Sequence, residues 1–202
     1  MRLLLRYHYM IKKFTTLLFL FISLHSFGQS KVEWKEGTKL SLDDFQGQAP
    51  AAGASQNYYL AATLDFAYAM TNAEFMLTKN FNRNVSVYYN PAISWIQDGE
   101  NTAQLLKYAQ MDFDLMELYA RKLRKRIYDA KGAFSNYNFY QQAQEEVHAD
   151  MVKRQSEMYA TTYFDDEEME AYHRQILNEM AELNEFCKEC KPAKKQKKKK
   201  AE

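Results

Sequence analysis

Leu105, Tyr108, Leu115, Tyr119, Leu123 and Ile127 recur at steps of three, four and seven residues. That spacing places all six on one face of a single long helix, and a stripe of such length must be buried against a partner layer. Asn101 with Gln104 three residues later reads as a capping box at its head, and Gly132 as its stop. A second helix starts at Ser135 or Asn136 and runs to about Thr162, with Tyr140, Val147, Met151 and Met158 as its apolar content. Asp165 caps a third, with Glu168 at its N3 position and Met169, Tyr172, Ile176, Met180, Leu183 and Phe186 facing inward.

The period changes upstream of Asn101. Val32 to Leu42 reads as short extended pieces around a turn at Gly37, followed by a loop through DDFQGQAPAAGA. Tyr58 to Met70 reads as a strand, Glu74 to Thr78 as a second and Val85 to Tyr89 as a third, with a turn at NFNRN. Pro91 ends the third, and AISWI is a short extended or turn segment before the helices. Short connections favour antiparallel pairing. The expected fold is α+β: a small antiparallel sheet followed by three long helices.

The N-terminus carries an export pattern. After Met10, Lys12 and Lys13 precede a largely apolar run from Phe14 to Phe27, and Ser26 and Gly28 are small residues suited to a cut before Gln29. Residues 1–28 therefore read as a signal peptide, with residues 1–9 as a start-site extension. The run is too short and interrupted for a comfortable membrane span, and no Cys follows it to carry a lipid. The expected location is the periplasm or the medium, with no integral membrane segment after cleavage.

The whole-chain charge of +1 conceals an asymmetry. Residues 31–186 hold 15 Lys and Arg against 24 Asp and Glu, a net of −9. Such a body repels nucleic acid. The basic excess lies at the ends, in the leader and in the tail KPAKKQKKKKAE. Residues 187–202 read as a CxxC pair followed by a compositionally disordered lysine-rich tail, whose contact with anionic surfaces would be weak. Cys187 and Cys190 lack a second pair for a zinc site and lack the strand-then-helix setting of a thioredoxin motif. A local disulfide or two idle thiols is the plain reading.

The segment from Leu105, LLKYAQMDFDLMELYARKLRKRIYDAK, together with WKEGTKLSLDDFQG from Trp34, AATLDF from Ala61 and AISWI from Ala92, resembles a bacterial family of predicted secreted zinc-dependent proteases, domain of unknown function 922. In that family an early Trp and a DFxG element precede a helix reading approximately LLxHEQxHFDIxELYARxLRK. Phe113, Asp114, Glu117, Leu118, Ala120, Arg121, Leu123 and Arg124 fit that helix. The resemblance spans about Trp34 to Leu183. It implies a zincin-like core in residues 29–186.

The same resemblance implies a degenerate site. Tyr108 stands where the family has its first ligand His, Ala109 where it has the general-base Glu, and Asp112 where it has the second ligand His. HExxH works by presenting two imidazoles four residues apart to one zinc ion, with the adjacent Glu activating its water. Tyr is a poor zinc ligand near neutral pH, and Ala accepts no proton. A later family segment, approximately YDxxTxHG, corresponds to YATTYFDD from Tyr159, where Ala160, Tyr163 and Asp165 replace its Asp, Thr and His.

The mature chain holds two histidines, His148 and His173. A rearranged metal site would draw on these with Asp112 and Glu117, helped by Glu145, Glu146 or Asp150 beside His148. Asp112 and Glu117 lie about 140° apart on a helix and do not converge. A carboxylate on the apolar stripe is costly unless bonded, so Asp112 either accepts a hydrogen bond from a tyrosine or arginine across the cleft, or sits at the cleft mouth in water. The expected protein is a secreted, catalytically inactive relative of a zinc protease, using no metal or cofactor and binding a protein, peptide or glycan partner. The alternative is a metal-dependent hydrolase or peptidase with a rearranged site involving Asp112.

Overall fold

The computed structural model of the chain describes residues 31–51, 57–66, 71, 76–131 and 137–193. The leader at 1–28, Gly132, Ser135, Asn136 and the lysine run beyond Ala193 lie outside those residues.

Among the described residues, the short strands β1 Val32–Glu33, β2 Tyr58–Tyr59, β3 Ala62–Phe66, β4 Val85–Tyr89 and β5 Trp95–Ile96 precede the long helices α1 Thr102–Ala130, α2 Tyr137–Thr162 and α3 Asp166–Glu182. Strand β4 is central, with β1 and β3 antiparallel on its two sides; Val32 and Ala62 both face Tyr89 in register. Val85, Val87 and Tyr89 are buried while Ser86 and Tyr88 are less so, the two-residue alternation of a sheet with one packed face. That face meets α1, where the Tyr89 and Phe113 rings make an edge contact at 5.2 Å.

The strand expected from Tyr58 to Met70 is two strands in two sheets. At Ala61 the backbone N–H leaves the ladder to donate to Ser94 Oγ at 3.0 Å, so β2 pairs with β5 and β3 with β4. Residues 67–70 lie outside the described residues. Of the strand expected from Glu74 to Thr78, residues 74 and 75 lie outside the described residues, and Met76 and Leu77 are helical.

The DFxG element has a packing role. Gly47 donates to Ser94 O at 2.7 Å, and a Cβ there would fall 2.8 Å from the Ile93 carbonyl carbon and the Ser94 oxygen. Only glycine permits this approach. Asp44, three residues earlier, accepts the Tyr89 hydroxyl at 2.5 Å and so fixes the same loop to β4.

Helix α1 begins at Thr102 without the expected capping box. Asn101 has φ −95° and ψ 8°, and its side chain caps nothing. The Thr102 hydroxyl instead donates to Gly99 O at 2.7 Å and accepts the Gly99 N–H at 2.9 Å. The cap of α3 forms as its residues suggest: Asp165 accepts the amides of Glu167 and Glu168. All six stripe residues of α1 are buried, as are Tyr140, Val147, Met151 and Met158 of α2 and Met169, Tyr172, Ile176 and Met180 of α3.

Helices α1 and α3 run parallel in a constant register. Lys107 bonds Asp166, Asp114 bonds His173 and Arg121 bonds Met180 O, each pair 59 residues apart and each step a heptad. Below that seam Glu117 is shared by Arg121 at 3.1 Å and Arg124 at 2.7 Å, all three side chains buried. Arg124 also donates to Val85 O at 2.8 Å and Phe186 O at 3.1 Å, tying helix, sheet and C-terminal turn together. Cys187 and Cys190 form a disulfide, and Cys190 O accepts the side-chain amides of Asn80 and Asn82. Among the described residues no helix is long and apolar enough to cross a membrane.

Candidate functional site

One face of α1 carries Leu105, Tyr108, Asp112 and Met116, and it borders two adjoining cavities of about 340 and 260 Å³ that share Asn57, Tyr58 and Tyr159. Tyr108 and Asp112 therefore lie on the same side, as their four-residue spacing requires. Ala109 points away from this cleft into the core and is fully buried.

Asp112 is 8% exposed and its carboxylate is a hub. One oxygen accepts the hydroxyls of Tyr58 and Tyr159, the latter at 2.5 Å; the other accepts the Gln155 side-chain amide at 2.8 Å. The two hydroxyls also touch each other. Of the two arrangements open to Asp112 in sequence, tyrosine donation is the one formed, and no arginine takes part. Burial pushes the Asp112 carboxyl above the ordinary carboxylate range, and the bonds from Tyr159, Tyr58 and Gln155 pull the other way. Burial, reinforced by the adjacent Asp112 charge, pushes both phenols far above their usual value, so they stay protonated donors at neutral pH.

Tyr108 is buried and bonded at its tip. The Thr162 hydroxyl donates to Met158 O at 2.9 Å, which leaves Tyr108 to donate to Thr162 Oγ at 2.7 Å and to accept the Phe164 N–H at 2.9 Å. These bonds hold a strained turn. Tyr163 and Phe164 have φ of 32° and 62°, a left-handed backbone that costs about 1–2 kcal/mol per non-glycine residue. The turn carries Tyr163, 83% exposed, and Phe164 to the rim of the cleft, where Phe164 makes an edge contact with Tyr108.

The residues proposed for a rearranged metal site do not come together. His148 is exposed on α2 beside Gln141, Gln144 and Glu145. Glu117 is committed to two arginines, and Asp165 to its helix cap. His173 bonds Asp114 at 2.8 Å on the opposite side of α1, because Asp112 and Asp114 lie about 200° apart around the helix. Among the described residues no group of three His, Cys, Asp or Glu converges.

A tetrahedral zinc site needs imidazole or thiolate donors, or carboxylates with free lone pairs. Here Tyr108 offers a phenol bonded to Thr162, and Asp112 a carboxylate whose oxygens already accept three hydrogen bonds. This donor set does not fit zinc. What it can do is fix the geometry of Tyr58, Gln155 and Tyr159 around the cleft and leave the exposed rings of Tyr59 and Tyr163 available to a partner.

Tyr58, Gln155 and Tyr159 are absent from the sequence-level site. Gln155 and Tyr159 stand four apart on α2, a detectable helical pair, but Tyr58 joins them from 54 residues before Asp112 and leaves no local mark. Searches of protein-family models, of curated proteins and of solved structures find no match for this chain.

Proposed function

We propose that the chain is an exported, catalytically silent counterpart of the zinc-dependent proteases it resembles, kept as a binding or structural module of the cell envelope. The export pattern at residues 1–28 supports the location, and the helix motif around Leu105 to Arg124 supports the zincin-like ancestry of residues 29–186. The observation that carries the reading is the Asp112 hub. Its carboxylate is bonded by Tyr58, Tyr159 and Gln155, and no base stands beside it, because position 109 is a buried alanine. Among the described residues, no second carboxylate and no imidazole lines the cleft beside Asp112 to take a proton from a water there.

The partner is a protein, peptide or glycan that lays a flat surface on the exposed rings at the cleft rim. Tyr and Phe contribute large contact area at low ordering cost, which suits recognition. A mixed peptide library incubated with the protein, with and without added zinc, tests the silent reading. The expected result is no cleavage in either arm. Zinc-dependent cleavage that disappears in Asp112→Ala would restore hydrolysis through a rearranged Asp112 site.

A further inference from the structure

The parallel register of α1 and α3 leaves a trough between them, on the opposite side of α1 from Asp112. Trp34 and the turn through Gly37 to Leu40 form one edge, and the cavity measures about 690 Å³. That lies within the range of small-molecule sites, roughly 300–1,000 Å³. Its α1 wall runs from Ala103 to Arg121, a length of about 27 Å at 1.5 Å per residue. The floor is aliphatic, through Leu106, Leu177 and Met180.

Glu36, Lys39 and Asn184 stand exposed at the rim of the trough, and its buried polar groups are paired with one exception. Asp114, 5% exposed, accepts Trp34 Nε1 at 2.7 Å, Gln110 Nε2 at 2.9 Å and His173 Nε2 at 2.8 Å, so three donors cover its charge. Gln110 also accepts Leu40 N–H and donates to Thr38 O. Arg121 lines the cavity and is 3% exposed. Its Nε bonds Glu117 and its Nη1 bonds Met180 O, but its Nη2 meets no acceptor among the described residues. That nitrogen is also not sealed from solvent.

Glu117 and Asp114 together balance the charges of Arg121 and Arg124, so what Arg121 lacks is an acceptor at Nη2 and not a counter-charge. Arg121 and Arg124 share the single carboxylate of Glu117, and their other hydrogen-bond acceptors are carbonyls, while the Arg121 guanidinium also lies 5.6 Å from the centre of the Trp34 ring. The next carboxylate on that face, Asp114, is two helical turns away along α1 and already covered. A buried guanidinium with a free donor beside a neutral floor favours an anionic oxygen attached to an apolar body.

We infer that the α1–α3 trough binds a linear aliphatic monocarboxylate, its carboxylate on Arg121 Nη2 and its chain along Leu177 and Leu106 toward Ala103. The free Nη2 donor of a guanidinium matches a carboxylate oxygen, and the aliphatic floor matches its chain. An extended peptide fits less well, since both walls are helices whose backbone groups are bonded internally and offer no strand edge. The inference is independent of the Asp112 site.

Isothermal titration of the full chain with dodecanoate tests it, with dodecanol as the uncharged control. The expected result is saturable one-to-one binding of dodecanoate, with dodecanol weaker by about tenfold or more. Arg121→Gln removes the donor but also disturbs the Glu117 pair, so Leu177→Glu serves as a second variant. Leu177 is 42% exposed and outside the core, and a carboxylate there repels the ligand without emptying a buried site. Loss of dodecanoate binding in folded Leu177→Glu supports the site. Absent saturation below the self-association of dodecanoate, equal affinity for dodecanol, or unchanged binding in Leu177→Glu would each overturn it, as would a peptide that binds the trough where dodecanoate does not.

Discussion

The Tyr108 hydroxyl accepts the Phe164 N–H at 2.9 Å and so fastens α1 to the left-handed turn between α2 and α3. A side chain standing at a motif position of the resembled proteases is thereby a pin for the cleft rim. Tyr108→Phe removes that acceptor and the bond to Thr162 and leaves the Phe164 amide short of a partner. The expected cost is about 1–3 kcal/mol in denaturant unfolding, with the aromatic packing retained.

The strain in the same turn predicts a change of opposite sign. Tyr163 has φ 32° and an exposed ring, so Tyr163→Gly relieves the backbone while losing little packing. Glycine's greater freedom in the unfolded chain offsets part of the gain. The melting temperature should hold or rise, by the equivalent of up to about 1 kcal/mol. If the exposed Tyr163 ring contacts the partner, the same variant loses partner binding.

Asp112 and Asp44 should give opposite pH signatures. Burial raises the Asp112 carboxyl in the folded protein, so the native state binds more protons than the unfolded chain between the ordinary value of 3.8 and the raised one. Its contribution to stability therefore falls as pH rises through that interval and is level above it. Asp112→Asn removes this dependence and keeps an acceptor for the tyrosines. Asp112→Ala removes the shared acceptor of two part-buried phenols, which keep only each other and Gln155, at about 1–3 kcal/mol in all. Chemical denaturation from mildly acidic to neutral pH separates the two variants.

For Asp44, burial pushes the carboxyl up, but the bonds from Tyr89 and Ser41 outweigh it and hold it below 3.8. That stabilisation is present above the ordinary carboxylate range and lost as pH falls through the lowered value. Tyr89→Phe should cost about 1–3 kcal/mol at neutral pH. The difference from the parent should shrink in acid, once Asp44 is protonated.

The buried Glu117 pair predicts the largest stability loss. Glu117→Gln leaves Arg121 and Arg124 without a counter-charge, at about 3–5 kcal/mol. Arg124→Lys should also be costly, since an ammonium does not span Glu117, Val85 O and Phe186 O as the planar fork does. Equilibrium unfolding in urea measures both.

The helices were legible because burial of one face imposes a period that survives in sequence, and every residue of the α1 stripe is inside. Strand β4 was legible for the same reason at period two. The Asn101 capping box failed because Thr102, one residue on, offers a hydroxyl that closes the loop onto Gly99. The split at Ala61 was not legible because its cause, Ser94 Oγ, is 33 residues away. Asp112 was visible as an anomaly on an apolar face, but its three donors come from Tyr58 and α2. The Arg121 trough arises only once α1 and α3 lie in register, which neither helix records alone.

Hydrogen bonds from Tyr58, Tyr159 and Gln155 occupy the Asp112 carboxylate that a metal would need. Zinc titration of the purified protein against a competing chelator, with Asp112→Ala alongside, tests this. The expected result is no stoichiometric zinc in the parent and the same titration curve for both proteins. One zinc per chain in the parent, lost in Asp112→Ala, would contradict it.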